Sequence, residues 1–143
     1  MKIISILSVL LTLTACSKGI DKMSDKSKMM CADKPNCIST LETRTDFKAA
    51  PFTLNSSNTK IESIAQIAEQ LKGAKIAVIS GNYARIESTS TVFRFVDDLE
   101  LRIEGNNLIV RSESRTGHSD FGVNKKRVEQ LRAMLLEQGL ISQ

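Results

Sequence analysis

Residues 92–103 alternate clearly between apolar and polar side chains. Phe93, Phe95, Leu99, Leu101 and Ile103 fall on one side of an extended backbone, and Arg94, Asp98, Glu100 and Arg102 on the other. A period of two is what a strand needs when one face lies on a core and the other is polar. The pair Gly105-Asn106 that follows suits a tight turn, so the strand is expected to fold back on residues 107–114. That register sets Ile103 opposite Leu108, Leu101 opposite Val110, Glu100 opposite Arg111 and Asp97 opposite Ser114. It also sets Asp98 opposite Glu113. Asp97 is the exception to the alternation: it falls on the apolar face, where an ionised carboxylate is costly unless it is paired or hydrogen-bonded.

The flanking residues complete an element string. Ile61, Ile64, Ala65, Ala68 and Leu71 recur at helical spacing, with Thr59 and Glu62 placed as a capping box and Gly73 as the stop. Residues 75–80 and 83–89 read as two strands joined by Gly81-Asn82. A last helix over residues 125–138 carries Val128, Leu131, Met134 and Leu135 on one face, with Asn124 as its N-cap and Gly139 as its C-cap. The predicted class is α+β: a four-stranded antiparallel meander with one helix before it and one after, both packed on one face of the sheet.

The N-terminus reads as an export signal. Lys2 precedes an apolar core over residues 3–13, too short for a transmembrane helix of roughly 20 residues. The segment Leu13-Thr14-Ala15-Cys16 resembles the lipobox of bacterial lipoproteins, in which the cysteine thiol accepts a diacylglycerol before cleavage. The expected organisation is a signal peptide over 1–15, a flexible tether over 16–30 lipidated at Cys16, and a single α+β domain with an extended N-terminal arm over 31–143. The chain carries 20 basic and 16 acidic residues, and cleavage removes only Lys2 among them. So small an excess, without aromatic residues interleaved among the basic ones, argues against nucleic acid as a partner.

Once Cys16 is assigned to lipid, Cys31 and Cys37 remain as an even pair in an oxidising compartment, where a disulfide is the natural reading. The alternative is a reactive thiol at Cys37.

Three blocks carry a family resemblance: residues 35–39, the run 93–100 with its Asp97-Asp98-Leu99-Glu100 core, and residues 111–127 with Arg111, Ser112, Ser114, Arg115, Gly117, Asp120, Gly122 and Asn124 at fixed spacing. In order and spacing they resemble the bacterial and plastid family catalogued as domain of unknown function 1499, over residues 31–136. The resemblance implies a domain and no particular reaction. His118 stands where the pattern does not require histidine, which weighs against a histidine-dependent mechanism. The same blocks concentrate charge. Arg94, Asp97, Asp98, Arg111, Arg115, Asp120 and Asn124 are the candidate polar site, expected to gather at a strand-to-helix corner whose helix N-terminus favours an anion.

Adjacent residues on a strand point to opposite faces, so Asp97 and Asp98 cannot form a catalytic dyad. Asp97, His118 and Asp120 match no zinc or calcium pattern, so no metal and no cofactor is expected. The reading favours a membrane-anchored envelope lipoprotein with a non-enzymatic binding or accessory domain for a lipid, an anionic small molecule or an envelope protein. The alternative is an enzyme using Cys37 or the Asp97, Arg115 and Asp120 corner. Ser17 after the lipidated cysteine points to the outer membrane, facing the periplasm.

Overall fold

The computed structural model describes residues 24–142. The expected signal segment, Cys16 and the first part of the expected tether lie outside them. The elements run β1 (Cys37–Ser39), a 3-10 turn (Thr45–Phe47), α1 (Ile61–Ala68), β2 (Ala74–Ser80), β3 (Tyr83–Thr89), β4 (Val96–Glu104), β5 (Asn107–Ser114) and α2 (Val123–Glu137).

The class is α+β with an antiparallel sheet and two helices, but the sheet has five strands, ordered β1-β5-β4-β3-β2. The additional strand is β1, whose Cys37, Ile38 and Ser39 pair with Glu113, Ser112 and Arg111. Three residues are too few to display a period, which is why the alternation reveals four strands and not this one. The β4–β5 register is the one the alternation and the Gly105 turn dictate, from Asp97 opposite Ser114 to Ile103 opposite Leu108.

Strand β4 starts later than its sequence pattern. Arg94 adopts a left-handed φ of 57°, and the Ser90 and Phe95 backbones close a loop in which the Ser90 N–H donates to the Phe95 carbonyl at 2.9 Å. Phe93 and Phe95 therefore leave the core face and stack on each other in solvent, ring centroids 5.6 Å apart.

One face of the sheet meets both helices. Ile64, Ala65 and Ala68 of α1 and Val128, Leu131 and Leu135 of α2 are buried with Ile86, Leu99, Leu101, Leu108 and Val110 of the strands. Phe52 and Leu54, from the segment between β1 and α1, join the same core. Fully burying each such side chain stabilises by about 1.5–3 kcal/mol before the entropy of ordering it is counted.

Helix α1 begins after an extended Lys60 with no side-chain cap, so Thr59 does not form the expected box. The cap of α2 is Gly122 at φ 81°, and not Asn124. Asp120 supplies the capping oxygens: Oδ1 accepts the Gly122 N–H and Oδ2 the Asn124 N–H, each at 2.9 Å. At the far end Gly139 turns left-handed at φ 64°, while the Leu140 N–H donates back to the Leu135 carbonyl.

The opposite face of the sheet is polar and covered. Residues 25–30, expected to belong to a flexible tether, lie across it. The Lys26 N–H donates to Glu100 Oε1 at 2.7 Å, Arg111 Nε donates to the Met29 carbonyl at 3.1 Å, Asp25 pairs with Arg102, and Ser27 is fully buried. Low hydrophobicity concealed this packing, because the strap is held by backbone groups and charges. Cys31 and Cys37 form a disulfide that ties the strap to β1, so Cys37 is not a free thiol. Glu42 stabilises the turn beyond: Oε1 accepts the Thr43 and Arg44 N–H groups and Oε2 the Cys31 N–H.

Candidate functional site

The strands make the core face apolar except at one end, where Ser88, Asp97 and Ser114 stand side by side on β3, β4 and β5 and Ser112 stands one row further in, opposite Leu99. The start of α2 covers this row with Asn124 and Arg127. Arg127 Nη2 donates to Asp97 Oδ2 at 2.6 Å. Its Nη1 donates to Asn124 Oδ1 at 2.6 Å and Ser112 Oγ at 3.1 Å. Asn124 Nδ2 donates to Ser114 Oγ, to Asp120 Oδ2 and to the Asn36 carbonyl at 2.9, 2.7 and 3.1 Å. A buried amide with its donors and acceptor engaged in this way fixes helix, sheet and arm to one another.

The seven sequence-derived polar residues do not gather at one corner. Asp97, Asp120 and Asn124 belong to this row. Asp98 lies on the opposite face, where Arg115 Nε and Nη2 donate to its two oxygens at 2.8 and 2.7 Å and Arg115 Nη2 also reaches Glu87 at 2.5 Å. These partners raise the Arg115 pKa further, the Asp98 hydrogen bonds first among them. Arg115 is thus a partner of Asp98 and not of Asp97. Arg111 lies on the same outer face, 2.9 Å from Glu113 and 3.5 Å from Glu100. Burial pushes the Glu100 carboxyl up, opposed by the Lys26 N–H, the Tyr83 hydroxyl and Arg111. Burial, and then the charge of Glu100, likewise raise the Tyr83 phenol. Arg94 sits in the exposed β3–β4 loop with no carboxylate partner among the described residues. The partner the sequence reading missed is Arg127. Its signal was helical spacing: it stands three residues after Asn124 and four before Leu131, on the buried stripe, although it ends a basic run.

Ser88 is the unmatched member of the row. Its side chain is buried, with 2% of the residue exposed, and its Oγ has no hydrogen-bond partner among the described residues. It lines a cleft of about 330 Å³ between the end of α1, the start of α2 and the β3–β4 loop, together with Lys72, Thr89, Ser90, Lys126 and Arg127. Asp97 also lines it, already paired with Arg127. Lys72 and Lys126 are exposed, with no carboxylate partner among the described residues. Asp120 occupies the α2 N-terminus, so the helix end itself is not free to receive the anion the sequence suggested; the cleft's cations and hydroxyls lie beside it.

Two loops rise at the cleft mouth, the β3–β4 loop with Val92, Phe93 and Phe95, and the β5–α2 loop with Phe121. Both contain a non-glycine residue with left-handed backbone, Arg94 at φ 57° and Phe121 at φ 53°. Phe121 is 96% exposed. Among the described residues no group of three or more His, Cys, Asp or Glu side chains is placed to hold a metal ion, and no helix is long and apolar enough to cross a membrane.

A family model described as Protein of unknown function (DUF1499) matches residues 29–135 of the 143. The chain belongs to the DUF1499 family. The match spans the strap after Met29, the whole sheet and α2 as far as Leu135, so both the buried Asp97, Asn124 and Arg127 network and the cleft beside it lie within the DUF1499 domain. Searches of curated proteins and of solved structures returned no significant match.

Proposed function

We propose that this protein is an envelope lipoprotein, anchored through Cys16 to the outer membrane and facing the periplasm, whose DUF1499 domain binds an anionic group in the cleft between α1 and α2. The observation that carries the reading is Ser88. A buried hydroxyl left without a partner costs roughly 1–3 kcal/mol, and this one lines a cleft beside two lysines that have no carboxylate partner among the described residues. An oxyanion there would accept from the Ser88 hydroxyl and lie among the charges of Lys72, Lys126 and Arg127. Binding is supported over catalysis because the enzyme candidates are committed elsewhere. Cys37 is in a disulfide, and Asp97 and Arg115 lie on opposite faces with separate partners.

Two measurements test this. Metabolic labelling with a fatty acid should mark the chain in the outer-membrane fraction and leave a Cys16→Ser variant unlabelled; label on that variant, or an inner-membrane chain, overturns the anchor. For the ligand, residues 16–143 carrying Cys16→Ser and made without the signal segment are titrated with inorganic phosphate and followed by amide chemical shifts. Saturable shifts should cluster around Ser88, Thr89 and Lys126 and vanish in Lys72→Gln/Lys126→Gln. Shifts scattered over the surface, or unchanged in the double variant, would overturn the anion site.

A further inference from the structure

Of the exposed large apolar side chains among the described residues, Met29, Met30, Leu41 and Ile79 lie elsewhere and the other five, including every exposed aromatic one, belong to the end of the sheet where the cleft opens. Val92, Phe93, Phe95, Phe121 and Val123 are all exposed there, in a chain with only five phenylalanines and no tryptophan. The β3–β4 loop borders the opening at Thr91, and α2 borders it at Val123, two positions after Phe121, with Lys72 and Lys126 in the same lining. Three of the chain's phenylalanines thus stand in water on loops that include Arg94 and Phe121, the two left-handed non-glycine residues among those described. Core formation accounts for neither the rings nor the loops that display them.

The charge around these rings has one sign where it is free. Lys72, Arg94, Lys125 and Lys126 are exposed near the mouth. The nearby carboxylates are engaged: Asp97 by Arg127, Asp98 and Glu87 by Arg115, and Asp120 by the helix amides it caps. Apolar side chains projecting from a cationic rim are the pattern of a protein that rests in the interface of an anionic bilayer. Reach is compatible with this. The strap enters the described region at the far end of the sheet, where Asp25 meets Arg102 and Arg102 meets the Asn82 turn. The residues from Cys16 to Asp25 span about 30 Å when extended, about the length of β4, so a chain anchored at Cys16 can lay its cleft end on the same bilayer.

We propose that this end of the domain is a membrane-docking surface, in which Phe93, Phe95 and Phe121 enter the acyl region of an anionic phospholipid bilayer while Lys72, Lys126 and Ser88 receive a lipid phosphate in the cleft. The proposal rests on the anion-binding reading above and names its partner. The lysines supply attraction and the rings retention, so charge and apolar contacts must each be needed.

The test is co-sedimentation of residues 16–143 carrying Cys16→Ser, made without the signal segment, with phosphatidylglycerol-containing vesicles and with pure phosphatidylcholine vesicles. Binding should require the anionic lipid. It should weaken about fivefold for each of Lys72→Gln and Lys126→Gln, and tenfold or more for Phe93→Ser/Phe121→Ser. The phenylalanine variant should keep its phosphate-induced shifts, which shows that its cleft is intact. Because the chain has no tryptophan, Phe121→Trp provides a single reporter whose emission should shift to the blue on anionic vesicles and be quenched by brominated acyl chains. Phosphate shifts without vesicle binding would mean a free anion is the ligand, overturning this inference and leaving the anion site standing. Equal binding to both vesicle types, or binding unaffected by the phenylalanine variant, also overturns it. Absence of phosphate shifts removes the reading on which it rests.

Discussion

Asp97 and Asp98 are consecutive in the chain and meet different guanidinium groups on opposite faces of one strand. Replacing Asp97 with Ala would leave the Arg127 cation buried with only neutral acceptors, a change that typically costs about 3–5 kcal/mol. Alternation alone suggests that Asp98→Ala costs well under half as much, as for a residue on a solvated face. The structure revises that: Asp98 is also buried, and Arg115 grips both its oxygens. Because Arg115 is partly exposed and keeps Glu87, we expect Asp98→Ala to cost roughly 2–3 kcal/mol. Denaturant midpoints of the two variants check both figures, and an Asp98→Ala protein as stable as its parent would refute the second. The sequence identified Asp97 as a carboxylate in need of a partner but not the partner itself. Alternation reports which face a side chain takes, whereas Arg127 arrives from a helix and only the packing of that helix decides which arginine it is.

At the scale of elements, the closest constraint is between the end of α1 and the end of β3. Gly73 has φ 70°, and a Cβ built on it would stand 2.4 Å from the Thr89 carbonyl oxygen, whose residue in turn donates its N–H to the Gly73 carbonyl at 2.9 Å. Backbone cannot yield as a flexible side chain does, and an L-residue at that φ is itself strained. We therefore expect Gly73→Ala to lower stability by more than the roughly 1 kcal/mol of a left-handed alanine and to perturb the amide shifts of Ser88 and Thr89 at the cleft floor. Unchanged shifts there would show that the two segments are not coupled. The helices and the four long strands were legible because each repeats its period, and α1, β2, β4 and α2 are followed closely by a glycine. What was not legible depends on contact and not on period. The short β1 exists because β5 offers it an edge, and β4 loses residues 92–95 because Arg94 turns left-handed where the pattern alone would continue a strand.

For the molecule as a whole, the segment before α1 is part of the fold and carries its own pH dependence. Arg44 holds the Glu42 carboxyl down to about 2 from its ordinary 4.5, with further help from the Arg44 and Thr43 amides, against the burial that would raise it. A group whose pKa is depressed by folding adds stability above the unfolded value and loses it as pH falls through the folded one. The parent protein should therefore lose stability between pH 4.5 and about 2, and Glu42→Gln should show a shallower loss over that window. Thermal midpoints across the range provide the check, and parallel curves would exclude Glu42 as a contributor.

The strap and β1 have a consequence for how the chain reaches this state. Their partners are Glu100, Arg111 and Asn124, which lie 74, 82 and 88 positions further along. During synthesis from the N-terminus, these residues find no long-range native partner until most of the polypeptide has emerged. The hairpins β2–β3 and β4–β5 join residues close in sequence and close early, while the strap and the sheet edge at β1 must wait for β4 and β5. Among the described residues, the segment made first thus gains its long-range partners late.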